Sequence, residues 1–68
     1  MNFKFKLFDK ISIIPLNNLS GTIINIWISN NEIQYKIRYF VDNEPKEIYF
    51  YEWEIELDEE KNTKIGFK

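Results

Sequence analysis

Residues 33–56 read IQYKIRYFVDNEPKEIYFYEWEIE, and this stretch decides the fold. Apolar side chains occupy every second position from Ile33 to Val41, a period typical of a β-strand with one buried face. The segment DNEP at residues 42–45 then predicts a turn, because Asp, Asn and Pro favour turn conformations. A second strand follows, and the hairpin and its bend hold seven of the twelve aromatic residues.

The apolar positions of this stretch change phase near its end, from 48 and 50 to 53, 55 and 57. A shift of one residue moves every side chain of a strand to the opposite face. The sequence therefore predicts a bulge or a short 3-10 turn near residues 52–54. Alternation assigns five side chains of the stretch to the core, namely Tyr35, Ile37, Tyr39, Ile48 and Phe50.

The preceding chain also predicts short strands. Residues 1–7 alternate apolar and polar side chains, which indicates a strand, and residues 65–67 are expected to pair beside it. A second strand over residues 9–16 is expected to end at Pro15, because proline cannot donate to a β-ladder.

Two turns and one long strand are predicted between the second strand and residues 33–56. In the turn at residues 17–21, Gly21 is expected to adopt a backbone conformation that other residues resist. The strand over residues 21–29 is expected to bury Ile24, Ile26 and Ile28, with Trp27 facing outward. Asn30 and Asn31 then predict a tight hairpin, because asparagine tolerates positive φ.

Composition supports an all-β chain of one domain, residues 1–68. The chain has no Ala and is rich in Ile, Phe, Tyr and Asn, which favours strands and polar turns over helices. Five to six short antiparallel strands in so few residues predict a small, strongly bent barrel. A chain of this size is marginally stable, so dense aromatic packing or self-association is expected to stabilise it.

Several function classes lose support because of missing residue types. The chain has no Cys and no His, which removes disulfides, thiolate ligands and the commonest general base. We expect no enzyme activity, no cofactor and no metal site. No apolar run approaches the roughly 18 residues of a membrane span, so a cytoplasmic protein without membrane contact is expected.

The net charge is −2, and it is unevenly distributed: residues 1–40 carry +3 and residues 41–68 carry −5. A basic groove with stacking aromatic rings would suit single-stranded nucleic acid. The acidic second half opposes that use, so nucleic acid or a nucleotide is the less favoured partner.

The pattern resembles the SH3-like barrels of Tudor, KOW and related small domains. The residues that carry the resemblance are FDKI at 8–11, where such families often show a Gly-Asp pair, GTI at 21–23, YKIRY at 35–39 and YEWEIE at 51–56. The chain is also similar to short phage and mobile-element proteins of this barrel type. The resemblance implies a binding module, and for Tudor-like domains a cage of aromatic rings around a methylated side chain, here Trp27, Phe40, Tyr49 and Tyr51.

Side chains on the predicted outer face are the candidate site. Its aromatic members either pack against the termini or a second copy of the chain, or contact a partner. The candidate partner-binding or ligand-binding residues are Trp27, Lys36, Arg38, Phe40, Tyr49, Tyr51, Trp53 and Glu54.

The expected function is non-catalytic binding, with a protein as the favoured partner. Size, acidity and resemblance suggest a phage or mobile-element protein that binds and inhibits a host defence protein in the bacterial cytoplasm. Trp53 and Tyr51 would anchor that interface. The alternative is a barrel that sequesters a nucleotide signal or binds nucleic acid, with Lys36 or Arg38 on phosphate. A homo-oligomer joined through the outward aromatic rings is also possible.

Overall fold

A computed structural model describes residues 3–59 and shows an all-β fold. Within this range, five antiparallel strands form one sheet, and two short 3-10 turns interrupt the chain. The elements are β1 (Lys10–Ile13), a 3-10 turn (Ile14–Leu16), β2 (Leu19–Ser29), β3 (Glu32–Val41), β4 (Glu44–Tyr51), a second 3-10 turn (Glu52–Glu54) and β5 (Ile55–Leu57). The predicted 3-10 turn at residues 52–54 is confirmed.

The strands lie in the order β4-β3-β2-β1-β5. Two-residue turns connect β2 to β3 and β3 to β4, and all four turn residues have positive φ: Asn30 50°, Asn31 65°, Asp42 52° and Asn43 67°. Positive φ at both central positions is the type I′ geometry, whose twist matches that of paired strands. Both hairpins are therefore confirmed, although the second turn is shorter than predicted, because Glu44 and Pro45 already belong to β4.

The core lies on one face of the sheet and includes the predicted residues Tyr35, Ile37, Tyr39 and Phe50. The Tyr35 ring meets the Phe5 ring edge-on, with centroids 5.4 Å apart, and the Tyr35 hydroxyl donates a 2.8 Å hydrogen bond to Glu52 Oε2. The other buried apolar side chains among residues 3–59 are Phe5, Ile11, Ile13, Ile23 and Ile55.

The predicted core set of β2 is wrong at its start, where Ile23 rather than Ile24 belongs to the core, because the strand contains an irregularity. Ile23 is fully buried opposite Ile37, and the register then shifts before Asn25, which pairs with Lys36. One extra residue reverses the faces of the side chains that follow it. Ile26 and Ile28 therefore lie on the core side, opposite Tyr35 and Ile33, and Trp27 faces outward as predicted. Ile26 packs partly against the core, whereas Ile28, beside the hairpin turn, is 49% exposed.

The prediction of a strand over residues 1–7 is also wrong for the described part, since residues 3–8 contain no strand. Asp9 organises this segment instead. Its carboxylate accepts a 3.1 Å hydrogen bond from the Lys6 backbone N–H and lies 3.2 Å from Lys6 Nζ. Local side-chain hydrogen bonds of this kind compete with strand pairing. The expected pairing with residues 65–67 lies outside the described residues.

Gly21 occupies β2 for a different reason from the one predicted, because its φ is not positive. A Cβ atom at this position would lie 2.5 Å from Ile37 Cγ2 and 3.2 Å from the Arg38 carbonyl oxygen. The close approach of β3 therefore requires glycine here.

Ile48 does not belong to the core, contrary to the prediction. It points to the core side opposite Ile37, but 47% of its surface is exposed. On β4, which is the end strand of the described sheet, one side of Ile48 has no neighbouring strand, whereas the Phe50 ring on the same strand packs against the Tyr39 ring.

Phe8 is the most unusual backbone position, with φ of 72° on a bulky residue that is 71% exposed. The left-handed region costs non-glycine residues roughly 1–2 kcal/mol. We expect Phe8→Gly to raise the free energy of unfolding by about 0.5–1 kcal/mol, after the loss of unfolded-state entropy is included. Urea unfolding measures the change, and Phe8→Ala, which keeps the strained φ, is the control that should not be stabilised.

Candidate functional site

The face of the sheet opposite the core carries most of the predicted site. Along β3, Gln34, Lys36, Arg38 and Phe40 alternate with buried side chains and so project from this outer face. Their cross-strand partners share it: Trp27 and Tyr51 flank Gln34, Asn25 and Tyr49 flank Lys36, Thr22 and Glu47 flank Arg38, and Pro45 lies opposite Phe40.

One cluster on the outer face is centred on Tyr49. The Trp27 and Tyr49 rings make an edge contact, with centroids 6.4 Å apart and planes at 60°. Lys36 Nζ lies 5.7 Å from the Tyr49 ring centroid, and Asn25 Nδ2 donates a 3.2 Å hydrogen bond to the Tyr49 hydroxyl. These contacts hold Tyr49 half-buried, whereas 52% of Trp27 stays exposed.

A second cluster forms where β4 ends. The Tyr51 and Trp53 rings are stacked, with centroids 4.6 Å apart and planes within 5° of parallel. Trp53 stands on the second 3-10 turn and is 69% exposed, so the stack presents a flat aromatic surface to solvent.

Glu54 has a structural contact that the sequence prediction did not anticipate. Its Oε1 atom accepts a 2.9 Å hydrogen bond from the Tyr51 backbone N–H and so caps the 3-10 turn. A carboxylate held in this way positions the Tyr51–Trp53 stack, which gives Glu54 a supporting role beside the aromatic surface.

The charged members of the outer face share one carboxylate. Glu47 lies 3.7 Å from Lys36 Nζ and 3.9 Å from Arg38 Nε, and the Arg38 guanidinium lies 6.0 Å from the Phe40 ring centroid. Exposed ion pairs this long contribute little to stability, and water screens them. Lys36 and Arg38 can therefore exchange Glu47 for a carboxylate on a partner at small cost.

The four rings proposed as a cage do not enclose one site. Phe40 lies opposite Pro45, whereas Tyr51 lies opposite Gln34, six positions further along β3. At about 3.4 Å per residue that separation is roughly 20 Å. The cation position over Tyr49 is moreover occupied by the chain's own Lys36.

A groove of about 220 Å³ extends the outer face toward β1. Arg38 and Phe40 line one side, and Lys10 and Thr22, joined by a 3.0 Å hydrogen bond from Lys10 Nζ to Thr22 Oγ1, line the other. Sequence reasoning missed Thr22 here, although its place opposite Arg38 follows from the strand register.

Within residues 3–59, no group of three or more Asp, Glu, His or Cys side chains is arranged to hold a metal ion. A search of the same residues for a helix long and apolar enough to cross a membrane also found none.

No protein-family model, curated protein or solved structure matches this chain. The relationship to Tudor-like and KOW-like barrels stays a prediction.

Proposed function

We propose that this protein is a non-catalytic binding module that engages another protein through the outer face of β2, β3 and β4. One observation carries the proposal: four large aromatic side chains, Trp27, Tyr49, Tyr51 and Trp53, gather on this side, and both tryptophans are more than half exposed. The core is built from other residues, so folding alone gives no reason for these rings to be there.

The composition of the face is that of a protein interface. Trp, Tyr and Arg dominate the binding energy of protein–protein contacts when a partner excludes water from them. Arg38 lies beside Phe40 at one end of β3, and Trp53 stacks on Tyr51 at the other. The mixture of rings, two cations and Glu47 favours a partner surface with both apolar and charged groups.

We further propose a phage or mobile-element setting, in which the protein binds and inhibits a host defence protein in the bacterial cytoplasm. Small size, acidic net charge and the resemblance to short proteins of such elements support this setting. A domain of 68 residues inhibits most simply by covering a surface that its target needs.

Single-stranded nucleic acid or a nucleotide is the second candidate, favoured by the exposed Tyr51–Trp53 stack and the nearby Lys36. Flat rings accept any base, and a cation beside them attracts phosphate. Glu47 opposes this use, because it lies beside both Lys36 and Arg38 and repels phosphate.

Affinity capture from a bacterial lysate tests the proposal. The wild-type chain and the double variant Trp27→Thr/Trp53→Gln serve as bait in nuclease-treated lysate, followed by rebinding to the purified captured protein. The control Phe3→Gln/Leu16→Gln removes two exposed apolar side chains outside β2, β3 and β4. We expect at least about a hundredfold weaker binding for the Trp variant, because anchors of this type each contribute about 2 kcal/mol or more.

Two results would overturn the protein-binding proposal. If the captured material is nuclease-sensitive and its retention falls steeply with salt, nucleic acid replaces protein as the partner. If the Trp variant rebinds the purified protein as tightly as the control variant does, the outer face is not the interface.

A further inference from the structure

Strand β4 is the end strand of the described sheet, and only a short part of its unpaired edge can form hydrogen bonds with another strand. In the two-residue hairpin between β3 and β4, Val41 and Glu44 form the closing hydrogen-bonded pair. Hydrogen-bonded and non-hydrogen-bonded pairs alternate from there in an antiparallel ladder. Residues 45, 47, 49 and 51 consequently point their backbone groups away from β3.

Both ends of this edge are blocked. Pro45 has no N–H to donate, and the Tyr51 N–H already donates to Glu54 Oε1 at 2.9 Å. Only Glu47 and Tyr49 therefore offer both an N–H and a C=O to a new strand. Among residues 3–59, no other backbone segment pairs with this edge.

We propose that a second copy of the chain pairs with this edge, β4 against β4 in antiparallel orientation around a two-fold axis at Ile48. In this register Glu47 of each copy faces Tyr49 of the other, and four hydrogen bonds satisfy every N–H and C=O of these two residues. Moving the axis to residue 47 places Pro45 opposite Tyr49 and leaves the Tyr49 carbonyl unpaired. Moving it to residue 49 places Glu47 opposite the Tyr51 N–H, which is already taken.

The side chains fit the same register on both faces of the sheet. On the core side Ile48, which is 47% exposed, would meet its own symmetry mate on the axis and become covered. On the outer face Glu47 of one copy would lie beside Tyr49 of the other, whose ring carries Lys36 at 5.7 Å. An isologous contact needs such self-complementarity. An axis at residue 47 would instead oppose two like charges, which is unfavourable.

The dimer is independent of the proposed partner, and it would join two outer faces into one continuous surface. Sedimentation equilibrium over a concentration series tests it. Glu47→Pro removes an outward N–H without breaking the β3–β4 ladder, and the control Glu47→Thr loses the same ion pairs but keeps that N–H. We expect the wild type and Glu47→Thr to dimerise, and Glu47→Pro to raise the dissociation constant by about ten- to a hundredfold, since two hydrogen bonds are lost.

A second variant keeps the test decisive if Glu47→Pro does not fold. Ile48→Lys places two ammonium groups on the axis, at a position exposed in the monomer, and is expected to be monomeric and folded. A wild type that stays monomeric up to about 1 mM, which corresponds to a contact weaker than about 4 kcal/mol, would overturn the proposal. Dimers of Ile48→Lys or Glu47→Pro as tight as those of Glu47→Thr would also overturn it. Loss of dimerisation with intact partner capture would leave the proposed function standing.

Discussion

Replacing Tyr35 with Ala is expected to remove a large part of the free energy of unfolding. The side chain is fully buried, meets Phe5 edge-on at 5.4 Å and donates a hydrogen bond to Glu52. Truncating a buried aromatic residue costs about 3–5 kcal/mol. At roughly 0.05–0.15 kcal/mol per residue, a chain of this length has only about 3–10 kcal/mol to lose. Far-UV circular dichroism during urea unfolding measures the loss.

Tyr35→Phe separates the ring from its hydroxyl. The hydroxyl also accepts a 3.4 Å hydrogen bond from the Phe5 backbone N–H. Removing the hydroxyl therefore leaves both this N–H and the Glu52 carboxylate without it as a hydrogen-bond partner. We expect a loss of about 1–3 kcal/mol. If Tyr35→Ala were no less stable than Tyr35→Phe, the ring would not be a main part of the core.

The difference in stability between the wild type and Tyr35→Phe is expected to depend on pH. Burial, and then the hydrogen bond to the Glu52 carboxylate, raises the pKa of Tyr35 from 10.0 to about 12. Because the folded state holds the Tyr35 proton more tightly than the unfolded state, the stability that the Tyr35 hydroxyl contributes is fully present below pH 10. It is lost as the pH rises through about 12. We expect the wild type to lose its advantage over Tyr35→Phe in this window, and a constant difference would contradict the assignment.

Gly21→Val is the second substitution with a large expected effect. The added Cβ would lie 2.5 Å from Ile37 Cγ2, and Ile37 is fully buried beside the Arg38 carbonyl that also crowds this position. Neither neighbour is the far end of a flexible chain, so the strands must separate. Overpacking of this kind costs about 1–3 kcal/mol, and the branched side chain adds to it.

Thermal unfolding compares Gly21→Val and Gly21→Ala with Ser29→Val, an exposed β2 position where valine suits a strand. We expect the order of stability to be Ser29→Val, then Gly21→Ala, then Gly21→Val. If Gly21→Val were as stable as the Ser29 control, the close approach of β2 and β3 would be excluded.

Strand alternation predicts correctly which side chains are buried where the ladder is regular. Along β3 it identified the buried Tyr35, Ile37 and Tyr39 and the opposite face, because every second residue of an uninterrupted strand faces the same side. The change of phase after Phe50 likewise located the 3-10 turn from which Trp53 projects.

The failures have physical causes that a pattern of apolar residues does not contain. Ile23 and Ile24 are both apolar, so nothing in β2 shows which of them is the irregular position. The exposure of Ile48 depends on β4 being an end strand, which is a property of topology rather than of local sequence. Glycine is used both where φ is positive and where two strands approach closely. The sequence alone does not show which of these reasons applies to Gly21, whereas the position of β3 against β2 does.

The candidate site was predictable as a face but not as a set of contacts. Alternation placed Trp27, Lys36, Tyr49 and Tyr51 on one side correctly. The use of Glu54 as a cap for Tyr51 and the sharing of Glu47 by two cations depend on side-chain geometry.

One face of the sheet builds the fold, and the proposed function requires the other face to be free to bind. Urea unfolding of Trp27→Thr/Trp53→Gln, followed by far-UV circular dichroism because both tryptophans are absent, tests it most directly. We expect a free energy of unfolding within about 1 kcal/mol of wild type, since exposed side chains contribute little to stability. A loss above about 3 kcal/mol, the range of core truncations, would make these rings part of the core and contradict the claim.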